Sequence, residues 1–358
     1  MALLLAFALV GAACSDSKSN TTTSASSSAS AAQGANIDYS SLSGTLNGSG
    51  STFQDAFNQK AITQFKTKAG NVAVSYTKSG SGAGKTDLQN KVVQFAGTDS
   101  LIADADKPKF QGGDVLYFPT VGAPITVSFN VSGVDKLQLS GETLGGIFAG
   151  AITTWNDPKI AADNSGVNLP NKPIVVVHRS DASGTTNNFT RFLTKAGGSA
   201  WTLNTGDTVN WPSTTQGAEK NSGVAQLITS TDGAIGYVDL ADAVNANLKF
   251  ASVKNSAGKF IAPTLDAAGA ALSGATVKDD LTYDPINATG DTAYPITSPT
   301  WIIVYKKQPD ANTAAALKGF LTFLLTDGQG FANTVGFAKL PTDLTSKAIA
   351  QLDQITTG

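Results

Sequence analysis

Histidine and cysteine occur once each in this chain of 358 residues, as His178 and Cys14, and arginine only twice, as Arg179 and Arg191. Each scarcity removes a class of chemistry. A single cysteine forms no internal disulfide, and one thiol with one imidazole cannot assemble the metal clusters built from those ligands. A Ser-His-Asp triad would have to use His178, and a planar two-donor grip on an anion would have to use one of the two arginines. Charge is sparse too, at 15% of residues with a formal balance of −2, so there is no basic field of the kind that holds nucleic acid. Glycine, by contrast, is plentiful at 36 residues, and the 41% apolar content is enough to bury the cores of two lobes.

The opening run MALLLAFALVGAAC is too short to span a bilayer and ends in small residues followed by the only cysteine. That pattern predicts an export signal over residues 1–14 closing on a lipidation site at Cys14. No Lys or Arg precedes the apolar run, and Gly11 stands where such signals usually carry Leu. The following SDSKSNTTTSASSSASAAQGA is polar and of low complexity and has nothing to bury, so residues 15–42 read as a flexible tether. The expectation is a globular body outside the cytoplasm, anchored to the cell membrane by lipid on Cys14.

From about Ser43 the chain alternates strand, glycine- or serine-rich turn, and helix. Phe53, Phe57, Ala61 and Phe65 recur at the spacing of one helical face before a stop at Gly70, which predicts a helix opened by Gly48 to Thr52. VAVSYTK alternates as a strand, SGSGAGK turns, and Thr86 to Val92 returns as a short helix. VVQFAGTDSLIADAD leads a strand into Thr98-Asp99-Ser100, which suits a helix N-cap. Finally, Ile174 to Val177 forms a strand that delivers Arg179 into Ser183-Gly184-Thr185-Thr186, with Phe189, Phe192 and Leu193 marking the next helix. In an open α/β sheet such turns gather at the carboxyl ends of the strands. Four helix starts converging there would make an anion cradle without net protein charge.

One of these turns, Ser79 to Thr86, ends in the Gly-Lys-Thr of a nucleotide-binding P-loop. Its first position is Ser79 where that pattern requires Gly, so the match fails by one residue.

Several long motifs together resemble the phosphate-binding protein of the Pst-type high-affinity phosphate ABC transporter. They are GSGSTF at 48–53, YTKSGSGAGK at 76–85, QFAGTDSLI at 94–102, ITTWNDPKIA at 152–161, VVHRSDASGTT at 176–186, TVNWP at 208–212, GAIGYVDLADA at 233–243 and YPITSPTWIIVYK at 294–306. The resemblance implies an α/β, two-lobed periplasmic-binding-protein fold with a ligand cleft and two crossover hinge strands, around Phe118 to Val121 and around Pro295 to Ser298. Lobe I would hold residues 43–118 plus 297–358, and lobe II residues 119–296. It also implies a set of phosphate ligands: Thr52 and Phe53 in the first turn, through a hydroxyl and a backbone N–H, Ser81 in the second, and Asp99 in the third. Arg179, Ser183, Gly184 and Thr185 would serve in the fourth, with Asp181 pairing Arg179. Lys85 carries no ligand role by this resemblance. His178 is turned to the opposite face by strand alternation and is expected to be structural.

The expected function is capture of inorganic phosphate and its delivery to ABC transporter permease subunits, by a monomeric lipoprotein without cofactor, metal or enzymatic activity. Two alternatives stand beside it: a binder of another tetrahedral oxyanion, or a secreted phosphate-ester hydrolase, which would need a metal or a nucleophile with its base. Asp99 separates the anions. An ionised carboxylate only accepts hydrogen bonds, and phosphate carries a proton to give it at neutral pH whereas sulfate has none.

Overall fold

The structure, a computed structural model, describes residues 37–358. The leader, Cys14 and the tether as far as residue 36 lie outside the described residues. Among the described residues no helix is long and apolar enough to cross a membrane.

The first lobe is built on strands β1 (Gly44–Gly50), β2 (Val72–Lys78) and β3 (Phe95–Thr98), with β1 central and parallel to both neighbours. Helix α1 (Asp55–Lys68) follows β1 and buries Phe57, Ala61 and Phe65, the stripe expected from the sequence. Phe65 packs edge-on against Phe320 and Phe323 of the late helix Ala311–Leu325, with ring centroids 5.2 and 5.5 Å apart. Each such ring contributes roughly 1.5–3 kcal/mol by leaving water. Tyr39 and Leu42, placed in the tether by composition, join this core: Tyr39 meets Phe65 at 5.9 Å and Leu42 lies over Gly319. The body therefore begins some residues before Ser43.

Helix α2 (Ser81–Gln89) follows β2. Strand β4 (Val115–Asn130) then runs the width of the molecule. Strands β5 (Val175–Arg179), β6 (Gln216–Ala218), β7 (Ala234–Asp239) and the short β8 (Lys249–Phe250) form the second lobe's sheet, and β9 (Thr297–Tyr305) returns to the first. The nine strands pair in the order β2-β1-β3-β9-β4-β7-β5-β6, with β8 also on β4. Strand β4 is the shared member: from Val115 to Pro124 it pairs antiparallel with β9, and from Ile125 to Asn130 with β7. The result is a two-lobed α/β fold in which β4 and β9 cross between lobes beside a cleft.

At the crossing, Pro119, Pro124 and Pro299 offer no N–H, and the ladder shifts register between Pro299 and Trp301. Threonine hydroxyls take over. Thr300 Oγ1 donates to Val121 O at 2.7 Å, accepts from Val121 N at 3.3 Å, and lies 2.8 Å from Thr120 Oγ1.

Three local expectations are corrected. Gly48 to Gly50 belong to β1 rather than to the opening of α1, so the first turn is only Ser51 to Gln54. SGAGK is not a turn, because α2 begins at Ser81. Its glycines are there for close approach: a Cβ on Gly84 would sit 2.4 Å from Gly50 Cα, and one on Gly82 would sit 2.4 Å from Ala182 Cβ. No helix starts at Asp99. Thr98 Oγ1 instead donates to Ser100 O at 2.7 Å and accepts from Ser100 N at 3.2 Å, holding a compact loop. Three helix starts, not four, therefore face the cleft.

Gly84→Ala should destabilise the protein by about 1–3 kcal/mol, since the added methyl meets backbone that cannot rotate aside. Urea unfolding checks this, and an unchanged midpoint would show that β1 and α2 are not packed backbone to backbone.

Candidate functional site

The first turn forms because Gly50 takes a φ of +132°, a conformation closed to side chains, and reverses the end of β1. Ser51 then donates its N–H to Gly97 O at 2.8 Å, and Tyr76 OH donates to Ser51 O at 2.8 Å. The Ser51 hydroxyl so fixed lies 2.7 and 2.6 Å from the two oxygens of Asp99 and accepts from Phe53 N at 3.1 Å. Thus Phe53 brings its N–H to the site while its ring packs in the core against Phe337.

Asp99 is 1% exposed. Ser81 Oγ lies 3.3 Å from its Oδ2 and accepts from its backbone N–H at 3.3 Å, and Asn188 Nδ2 donates to its carbonyl at 2.7 Å. Burial pushes its carboxyl up to about 7, against the pull of Ser51, Arg179 and Ser81, and the Asp207 charge adds to the rise.

Arg179 stands at the end of β5, 3% exposed, its N–H given to Tyr237 OH at 3.1 Å. Asp181 grips the guanidinium in fork geometry, from Nε to Oδ1 at 2.7 Å and from Nη2 to Oδ2. Burial alone would raise Asp181, but the guanidinium and the Lys220 N–H outweigh it and hold the carboxyl below its ordinary value. Nη1 donates across to Thr52 Oγ1 of the first lobe at 3.3 Å and, within its own lobe, to Asn221 Oδ1 at 3.1 Å.

The fourth turn opens helix α4 (Gly184–Ala196), which follows α3 (Gly141–Phe148) and a short helical turn at Pro158–Asp163. Ser183 caps it by accepting from Thr186 N at 3.3 Å, and Thr185 Oγ1 accepts from Asn221 Nδ2 at 3.3 Å. Only glycine fits at Gly184, where a Cβ would meet Ser81 Oγ at 2.6 Å and Asp99 Cβ at 2.8 Å. The turns of the two lobes touch directly, with Gly82 N donating to Ala182 O at 3.1 Å.

All the residues expected at the site thus come together: Thr52, Phe53, Ser81, Asp99, Arg179, Asp181, Ser183, Gly184 and Thr185. The sequence reading passed over Ser51, although it adjoins Thr52 in the same turn, and Asn221, which no local pattern marks. His178 faces away from the Arg179 side chain, its ring stacked on Trp211 with centroids 4.9 Å apart and Nδ1 2.9 Å from Arg179 O. The arrangement gathers hydroxyls, backbone N–H groups and one clamped guanidinium around the buried carboxylate of Asp99, a donor set of the kind that suits an anion.

A family model described as a PBP superfamily domain matches residues 20–328. Phosphate-binding protein PstS 2 of Mycobacterium tuberculosis is 35% identical over 323 residues, covering 87% of each chain. The chain belongs to the PstS family of phosphate-binding proteins. Phosphate-binding protein PstS of Pasteurella multocida is 34% identical over 313 residues, covering 86% of this chain and 89% of its own. Among solved structures, a high-affinity periplasmic phosphate-binding protein (PfluDING) bound with phosphate superposes with a TM-score of 0.73 at 24% identity, covering 86% of this chain and 94% of that one. This likeness bears out the two-lobed fold.

Asp99 gives the PstS-type site a pH signature. Between the ordinary carboxylate range and about 7, the folded protein keeps a proton on Asp99 that the unfolded chain has released. Its contribution to stability therefore falls as pH rises through that window and is level above it. Asp99→Asn should make the phosphate-free protein about 1–3 kcal/mol more stable at pH 8, with less than half of the gain left at pH 5. Thermal melts at the two pH values test this; equal differences at both would show that Asp99 is not a buried, costly charge.

Proposed function

We propose that this chain captures inorganic phosphate in the cleft and presents it to ABC transporter permease subunits, as a monomeric binding lipoprotein outside the cytoplasm. Thr52, Phe53, Ser81, Asp99, Arg179, Ser183, Gly184 and Thr185 would be the ligands, with Asp181 holding Arg179 in plane. Lobe I would comprise residues 43–118 plus 297–358 and lobe II residues 119–296, while β4 changes its pairing partner a little later, between Pro124 and Ile125. The PstS names of the relatives support the reading.

The observation that carries it is a fully buried acceptor, Asp99, set opposite a guanidinium among donors. A purely anionic ligand would be met by the donors but opposed by Asp99. An anion that also owns a proton satisfies both. Phosphate answers this description as monoanion and as dianion. Hydrolysis of a phosphate ester is less well served, since the lone imidazole is stacked on Trp211 away from the cleft and Asp181 is committed to Arg179.

Because Asp99 titrates near 7, the barrier to sulfate should itself depend on pH. Ionised Asp99 faces a sulfate oxygen acceptor to acceptor, at a cost of several kcal/mol in a water-excluded site, whereas protonated Asp99 donates. Sulfate should compete with labelled phosphate at least about tenfold better at pH 5.5 than at pH 8.5. If sulfate matches phosphate at pH 8.5, or competes equally at both pH values, Asp99 does not read the proton.

Membrane retention rests on Cys14. One acyl chain binds a bilayer only weakly, so a di- or triacylated cysteine is expected. Cys14→Ser should move most of the protein out of the membrane fraction; unchanged retention after fractionation would remove the anchor from this scheme.

A further inference from the structure

Lys85, the lysine of the P-loop look-alike, is absent from the proposed ligand set, yet its ammonium is used. Its Nζ lies 2.7 Å from Asp207 Oδ2, 3.0 Å from Ser100 Oγ and 3.4 Å from Leu101 O. The Lys85 and Asp207 side chains are only 14% and 18% exposed. Lys85 rises from α2, behind the second turn, and Ser100 and Leu101 adjoin Asp99 in the third. Asp207 belongs to the other lobe, in the segment between α4 and β6. There it is fastened to the fourth turn: its carbonyl accepts from Ser183 N at 2.9 Å, and its Oδ1 accepts from Asn187 Nδ2 at 2.9 Å. One ammonium therefore ties two turns of the first lobe to the residue that braces the turn of the second.

We propose that the Lys85–Asp207 ion pair is the latch of the closed cleft, setting how slowly the captured anion is released. This deepens the phosphate reading and rests on it. The two charges sit on different lobes, so separation of the lobes must part them. The pair therefore favours the closed state alone, and an interaction confined to one state shifts the equilibrium between states. It also neutralises Asp207, whose charge is felt at Asp99 and would otherwise repel an anion held there. Because encounter takes place with the open form, the latch acts on dissociation and leaves association nearly unchanged.

The test is a double-mutant cycle on the full chain, combining equilibrium titration with inorganic phosphate and release of labelled phosphate after rapid dilution. Lys85→Met and Asp207→Asn should each speed release about tenfold, the expected scale for a largely desolvated ion pair, with association within about threefold of wild type. The double variant should be little worse than the more affected single one, and Lys85→Arg, which keeps the charge, should release nearly as slowly as wild type. Urea midpoints in the absence of phosphate identify a variant that has failed to fold, and the Lys85→Arg comparison then carries the test. Release unchanged in Lys85→Met, equally fast in Lys85→Arg, or additive across the cycle overturns the latch while leaving the phosphate reading intact. A wild-type chain that does not bind phosphate overturns the reading beneath it.

Discussion

A carboxylate buried beside a guanidinium that it does not touch is the constraint around which this molecule is arranged. Were Arg179 to bond Asp99 directly, the pair would neutralise itself and nothing would be left for a ligand. Asp181 prevents that by taking the Nε and Nη2 side of the fork, while Thr52 and Asn221 take Nη1. Four of the five guanidinium N–H groups are thereby placed. Asp99 is left with hydroxyl partners only, Ser51 and Ser81, which soften the cost of burial without cancelling it. The folded protein therefore holds both a clamped cation and an under-compensated acceptor, a pair that an anion carrying a proton would relieve together.

Bringing those groups into one place requires backbone to approach backbone, and glycine supplies the room. Gly50 lies under Gly84, Gly82 against Ala182, and Gly184 between Ser81 and Asp99. The abundance of glycine, which in composition alone suggests loops, here serves helix starts and strand ends packed without side chains. This also explains why SGAGK is helical: a helix of low propensity is tolerated where its first turn is pinned between Gly50 and Ala182.

Much of this was legible in the sequence, and what was not has physical reasons. The apolar stripe of α1 and the run into Arg179 follow from local periodicity, and the rarity of arginine narrowed any two-donor anion grip to Arg179 or Arg191. The length of β4 and its division between two partners could not be read, because pairing is non-local and a strand buried on both faces shows no alternation. The helix expected at Asp99 failed because a cap signature cannot tell whether a hydroxyl will bond an N–H ahead of it or, as Thr98 does, fold a loop back on itself. Asn221 and Asp207 were invisible for another reason. Their roles depend on which loop of one lobe comes to face which turn of the other.

The same non-local logic links site and hinge. Asn188, fully buried on α4, donates through one amide nitrogen to Asp99 O at 2.7 Å and to Ser298 Oγ at 2.9 Å. Asp99 lies in a loop of the first lobe, Ser298 on the crossing strand β9, and Asn188 in the second lobe. A buried amide keeps both bonds only while all three elements hold their present spacing, and losing either leaves a buried polar group unmet. One buried amide thus ties the third turn of the site to the crossing strand, so the position of Asp99 and that of β9 are set together.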